Sequence, residues 1–253
     1  MRLLILGGTS EARRLAERLA ERGDVDAILS LAGRTERPAP QAVATRIGGF
    51  GGVDGLTAYL LDNAIERVID ATHPFAAQMS RHAAEACART KIPLLAFSRA
   101  PWRAGIGDDW TEASDNAAAA RALGAKPRRV FLTIGRLGLA DFAIAPQHFY
   151  LIRTIDPPED LSFLPHHEIV FARGPFSVED EIALMRTKQI DTLITKNSGG
   201  DATEAKLDAA RALRLPVLLV ARPAPGDAAV THDIEETLAF AAGHARPPAL
   251  RGV

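Results

Sequence analysis

Short, continuous apolar runs alternate with amphipathic helical stretches along most of this chain. That alternation is the strongest limit on how it can fold. "LLIL" (3–6) is followed by a pattern that puts Ala12, Leu15, Ala16 and Leu19 on one helix face. "AILSL" (27–31), "RVIDAT" (67–72) and "PLLAF" (93–97) follow, with a helical run from Phe75 to about Thr90 between the last two. A strand covered on both faces reads as an unbroken apolar run, and strands joined by helices pair in parallel. The stretch 98–128 breaks the rhythm with "RAPWRAGIGDDW", an alanine-rich helix near 114–124 and "AKPRR". The pattern then resumes. Strands are expected at "RVFLTIG", "FYLIRTI", "EIVFARG", "TLIT" and "PVLLVA", and helices at 177–188, 203–213 and 232–242. Ser177 is the expected N-cap of the first of these helices. The predicted class is α/β, with two halves at 1–98 and 129–243, a connecting segment at 99–128 and a tail at 244–253.

In open parallel sheets, ligands sit beyond the carboxyl ends of the strands. Thr9, Ser30, Thr72, Gly135, Arg173, Lys196 and Arg222 all fall at such ends. This clustering predicts a site there, in a cleft between the halves. Composition adds mainly exclusions. The net charge of the 253 residues is −1, so nothing global points to nucleic acid, and any basic site is local. Cys87 is the single cysteine and is expected to be a small core residue. "MRLLILGG" is too short for a signal-peptide core, and no run approaches a membrane span. A soluble cytoplasmic protein without nucleic-acid or membrane partners is expected, a monomer being the favoured state.

Gly7 and Gly8 lie directly between the first strand and the first helix. Backbone N–H groups at such a junction cradle phosphate, although a plain tight turn would use the same glycines. The second strand ends in Ser30, with Arg34 beyond it and no acid. A carboxylate there would hold the ribose hydroxyls of NAD and repel a 2′-phosphate, so Ser30 and Arg34 favour NADPH; a solvated loop arginine is the alternative. "GGFGG" (48–52) permits close backbone approach or unusual φ. In "DATHPF", Pro74 suits a first helical turn, which places Thr72 and His73 beside a helix start. There His73 has the chemistry to bind an anion or give a proton. Arg136, Arg153, Arg173, Lys196, Lys206 and Arg222 recur in the second half and suggest a substrate with several carboxylates or phosphates. Metal-ligand spacings, a nucleophile elbow and a P-loop are all absent from the sequence.

Taken together, "LILGGTSEARRLA", "GGFGG", "DATHPFAAQMS", "TIGR", "ARGPF" and "TKNSGGDATEAKLDAAR" resemble the precorrin-6A reductase family of cobalamin biosynthesis, over about residues 3 to 223. One departure is "SRAPW", where Ala100 is inserted into an Arg-Pro-x-Trp-like element. The resemblance implies two Rossmann-like domains, with NADPH and a tetrapyrrole polycarboxylate in the cleft between them. It implies hydride transfer from nicotinamide to one double bond of precorrin-6A and protonation of the neighbouring carbon. On this reading Gly7, Gly8, Thr9 and Ser10 meet the pyrophosphate, Ser30 and Arg34 the 2′-phosphate, and Thr72 and His73 the nicotinamide or substrate. Lys196, Asn197, Ser198, Gly199 and Gly200 line the opposite wall, and Arg136, Arg153, Arg173 and Arg222 hold carboxylates. His73 and Lys196 are the candidate proton donors, with water or tautomerisation of the macrocycle as alternatives. No metal is required. The same reaction on a cobalt-loaded precorrin and a non-catalytic NADPH sensor are the competing readings.

Overall fold

A computed structural model of the chain describes residues 1–33, 40–224 and 228–244. It divides into two compact units: Met1–Ala100 with the chain from Pro223 onward, and Pro101–Arg222. The first unit contains β1 (Arg2–Leu6), α1 (Ser10–Ala20), β2 (Asp26–Leu31), β3 (Ala44–Ile47), α2 (Gly52–Asp62), β4 (Arg67–Asp70), α3 (Ala77–Thr90) and β5 (Leu94–Phe97). The second contains β6 (Trp110–Ala113), α4 (Asn116–Ala122), β7 (Arg129–Thr133), a 3₁₀ helix (Arg136–Ile144), β8 (Phe149–Thr154) and β9 (His167–Phe171). It continues with α5 (Val178–Thr187), β10 (Thr192–Lys196), a 3₁₀ turn (Asp201–Thr203), α6 (Ala205–Leu213) and β11 (Val217–Val220). The chain then re-enters the first unit as β12 (Ala229–Thr231) and α7 (Ile234–Ala241).

Each unit holds a six-stranded sheet, ordered β3-β2-β1-β4-β5-β12 in the first and β9-β8-β7-β10-β11-β6 in the second. Every pairing is parallel. Both orders are the doubly wound arrangement, in which the strand order reverses beside the first central strand. The sixth strand is obtained in the same way in each. β6 follows β5 in sequence but pairs with β11, and β12 follows β11 but pairs with β5. The units therefore differ from the sequence expectation at both boundaries. Residues 110–122 are part of the second unit rather than a connection, and β12 and α7 belong to the first.

The sheets are stable because their central strands are covered on both faces. Leu3 and Ile5 pack with Leu15, Leu19 and Phe240, whereas Leu4 and Leu6 pack with Leu56, Leu60 and Cys87. All four strand residues are at most 1% exposed. In the second unit Phe131, Leu151, Leu193 and Leu219 share a core with Met185, Leu207 and Trp102. Burial of each large side chain contributes about 1.5–3 kcal/mol. Thr9, Asp115, Ser177 and Asp233 cap their helices by accepting from helix N–H groups. No helix among the described residues is long and apolar enough to cross a membrane.

The strands that the apolar runs did not reveal are β3, β6 and β12. The first two are four-residue edge strands with exposed positions, and β12 has only three residues. A short edge strand buries little, so its sequence need carry no continuous apolar signal, whereas the longer edge strand β9 keeps the readable run "EIVF". α2 was masked by glycine. Its Gly55 is required by close approach, because a Cβ there would stand 1.7 Å from the Phe50 carbonyl oxygen.

His148, just before β8, is fully buried and its Nδ1 accepts from the Arg128 N–H at 3.1 Å. Burial first, then the positive charge of Arg128, lowers its proton affinity below that of an ordinary histidine. A folded-state value below the unfolded value means the stabilisation is complete above about pH 6.5 and is lost as pH falls below it. The melting temperature is therefore expected to drop between pH 7 and 5 more steeply in the parent than in His148→Asn, whose Oδ1 replaces Nδ1 as acceptor. Parallel pH profiles for the two proteins would remove His148 from the acid sensitivity.

Candidate functional site

In the first unit the strand order reverses between β1 and β4, so the loops at 7–9 and 71–76 flank the switch point. Gly7 donates to the Ser30 carbonyl at 2.9 Å. A Cβ at Gly7 would lie 2.5 Å from Leu29 Cδ1, so the turn is pressed against the sheet. Gly8 has φ +114°, and an added Cβ would meet nothing within 4 Å. That combination leaves backbone bare in front of the α1 N-terminus, a cradle of the kind a nucleotide phosphate fits. Thr9 is the α1 cap. Its Oγ1 accepts from the Ala12 N–H at 3.1 Å and donates to the Ala71 carbonyl at 2.8 Å, tying the glycine turn to the end of β4. Ser10 donates to Glu11 Oε2 at 3.2 Å, and Arg99 Nε lies 3.2 Å from the same oxygen without hydrogen-bond alignment. This pairing offsets a carboxylate that would otherwise oppose an anion at the helix start.

The "DATHPF" stretch is a turn ahead of α3 rather than its first residues. α3 begins at Ala77, and the Ala76 N–H donates to the His73 carbonyl at 2.7 Å. Asp70, 7% exposed, accepts from both the Thr72 N–H at 3.0 Å and the Thr72 hydroxyl at 2.6 Å. Thr72 thus shapes the turn, and the carboxylate holding it was not singled out from sequence. An Asp two residues before a Thr at a strand end is the signal that would have found it. His73 Nδ1 accepts from the Phe75 N–H at 3.2 Å, which assigns the ring proton to Nε2. Arg34 lies outside the described residues. Ser30 is buried, and its Oγ accepts from Arg46 of the neighbouring strand at 2.8 Å. Cys87 takes no part: burial, with a smaller effect from Asp70, pushes its thiol up to about 12.

In the second unit Gly135, at φ +76°, turns the chain after β7, and Arg136 follows it exposed. Arg173 is likewise exposed after β9. Lys196 closes β10 half-buried, and Gly199 and Gly200 adopt φ +66° and +82°. These positive angles explain why both residues are glycine. The intervening residues hold the loop together. The Asn197 side chain accepts from the Trp102 N–H at 2.8 Å and donates to the Trp102 carbonyl at 3.1 Å. Ser198 N–H donates to the Lys196 carbonyl at 2.7 Å. Arg222 donates to the carbonyls of Asn197 at 2.7 Å and Ser198 at 3.1 Å. Asn197 and Arg222 thus help to hold the loop in shape. Lys206 is buried, donates to the Thr203 carbonyl and lies 4.7 Å from the Trp102 ring. At the foot of the same loop, burial and then the charges of Asp208 and Asp201 raise Glu204 above the usual carboxylate range.

Arg153 is more deeply placed than the exposed Arg136 and Arg173. Its Nη1 lies 2.6 Å from Glu181 Oε1, and the two side chains are 9% and 1% exposed. The guanidinium sits 4.0 Å from the centre of the Phe176 ring and 4.7 Å from that of Phe131. The pair links β8 to α5. Arg153→Met is expected to cost about 3–5 kcal/mol in chemical denaturation, because Glu181 is left buried and unpaired. Adding Glu181→Leu is expected to recover most of that loss. A double variant no more stable than the single would remove the pair from the core.

The family described as precorrin-6x reductase CbiJ/CobK matches residues 2–242. A precorrin-6A reductase of Rhodobacter capsulatus is 52% identical over 252 residues, covering 100% of this chain and 99% of that protein. A cobalt-precorrin-6A reductase of Salmonella typhimurium is 31% identical and covers 94% of each. A solved structure described as CobK precorrin-6A reductase superimposes with a TM-score of 0.91 at 52% identity, covering both chains completely. The chain belongs to the precorrin-6x reductase CbiJ/CobK family.

Proposed function

We propose that the chain is a precorrin-6A reductase, an oxidoreductase that uses NADPH to reduce one double bond of the macrocycle and yields precorrin-6B. The observation that carries this is the full-length relationship to precorrin-6A reductases, together with a bare glycine turn at the switch point of a doubly wound sheet. The higher identity to the metal-free than to the cobalt-named relative favours the metal-free substrate.

When bound, the reduced nicotinamide supplies the hydride. The first unit binds and orients it. The backbone at Gly7, Gly8 and Ser10 takes the pyrophosphate, with Thr9 fixing that turn, and Ser30 and Arg34 take the 2′-phosphate. Thr72 keeps the turn that carries His73. The second unit addresses the polyacid. Arg136 and Arg173 are exposed cations for its carboxylates, and Lys196 is a further cation at the start of the loop that Asn197, Arg222 and the two glycines shape. Ser198 contributes through that loop.

A proton must also reach the carbon next to the one that receives hydride. His73 accepts a hydrogen bond at Nδ1, so to deliver a proton from a doubly protonated ring it would give up its bond to the Phe75 N–H. The Lys196 ammonium carries three hydrogens, any of which can be the proton given. This supports Lys196 as the donor. Lys196→Ala and Lys196→Arg are both expected to lower kcat by about a hundredfold if it delivers the proton. A Lys196→Arg variant that keeps kcat would reduce Lys196 to a charge that holds substrate.

The activity itself is tested by anaerobic incubation with NADPH and precorrin-6A, following the absorption change of the pigment. Turnover is expected. Turnover only on the cobalt-loaded substrate would move the chain to the oxygen-independent reaction. Tight NADPH binding without turnover on either pigment would make it a sensor.

A further inference from the structure

We infer that Arg46, acting with Ser30, sets a preference for a 2′-phosphorylated nucleotide, an inference that rests on the dinucleotide reading above. Arg46 lies on β3 directly opposite Ser30 of β2 in the strand register. Its Nη1 donates to Ser30 Oγ at 2.8 Å and to the Gly48 carbonyl at 2.9 Å, and its Nη2 donates to the Gly49 carbonyl at 3.1 Å. The guanidinium carbon lies 3.8 Å from the centre of the Phe50 ring and 5.1 Å from that of Tyr59. The two carbonyls and the two aromatic rings together hold the group in one orientation before any ligand arrives.

Three features then point to an anion. First, Arg46 forms no ion pair with a carboxylate among the described residues, so its charge is not offset by one. Carbonyl oxygens orient a guanidinium without neutralising it, and its remaining N–H donors suit a phosphate. Second, the place is right. The carboxyl end of the second strand of such a sheet is where an acid would take the ribose hydroxyls of NAD. Here that end carries a hydroxyl that accepts from a cation, and the Ser30 O–H keeps its own proton to donate. Third, Cβ atoms added at Gly48 and Gly49 would meet nothing within 4 Å, so the adjoining turn offers room beside the guanidinium. The competing role is a staple for the glycine turn, and it predicts no dependence on a 2′-phosphate.

The full chain is titrated by calorimetry with 2′,5′-ADP and with 5′-AMP, which needs neither tetrapyrrole nor turnover. The parent is expected to prefer 2′,5′-ADP. Arg46→Gln removes the charge but keeps amide donors for the turn. Ser30→Asp sets a carboxylate against the guanidinium while leaving its bonds to Gly48 and Gly49. Each is expected to weaken 2′,5′-ADP roughly tenfold to a hundredfold, with 5′-AMP changed by less than about threefold. Melting temperatures confirm that both variants fold. Equal losses for the two ligands in both variants would leave Arg46 a staple and overturn the inference, as would a parent that binds both alike. A parent that binds neither would overturn the dinucleotide reading as well.

Discussion

Two-sided burial of the central parallel strands is the constraint on which the rest depends. β1 and β7 are flanked by strands on both edges and covered on both faces, so their buried residues, Leu3–Leu6 and Val130–Leu132, are all apolar. Polar chemistry is thereby excluded from the sheet interior. It collects where the strands stop and the backbone must turn. Arg153 is nevertheless a charged residue inside a strand, and Glu181 is buried with it as its partner.

The polar residues at those strand ends divide into two groups. Thr9, Asp70, Asn197 and Arg222 direct their hydrogen bonds to the backbone or to neighbouring turns, and so fix the shape of the loops. Arg136 and Arg173 stay exposed, and the glycine turns expose bare backbone. The first group makes the second useful. A loop bearing several positive-φ glycines would otherwise sample many conformations, and binding would have to order it first.

The central strands, most helices and the α/β class were legible because a buried strand has to be written as an apolar run. The short edge strands β3, β6 and β12 were not, because each is brief and lacks a strand neighbour on one side, so little in it is forced to be apolar. The glycine turns at "LGGTS" and "TKNSGG" were also legible as turns, since glycine pairs directly after a strand mark where the backbone leaves the sheet. Individual roles were less so. Arg153 and Arg136 look alike in sequence, and nothing local distinguishes a cation aimed at Glu181 from one aimed at solvent.

The sequence by itself determined that the chain alternates strand and helix, that its glycine turns fall at strand ends, and which family it resembles. The first two follow from short-range pattern, namely apolar continuity, helical periodicity and the conformational freedom of glycine, whereas the resemblance rests on the motifs themselves. Only the tertiary structure decided that β6 and β12 close sheets belonging to the opposite stretch of chain. Only it revealed that Asn197 reaches Trp102 and that Arg46 faces Ser30. Those pairings join residues far apart in sequence. Their partners are chosen by strand register and sheet order, which no local segment encodes.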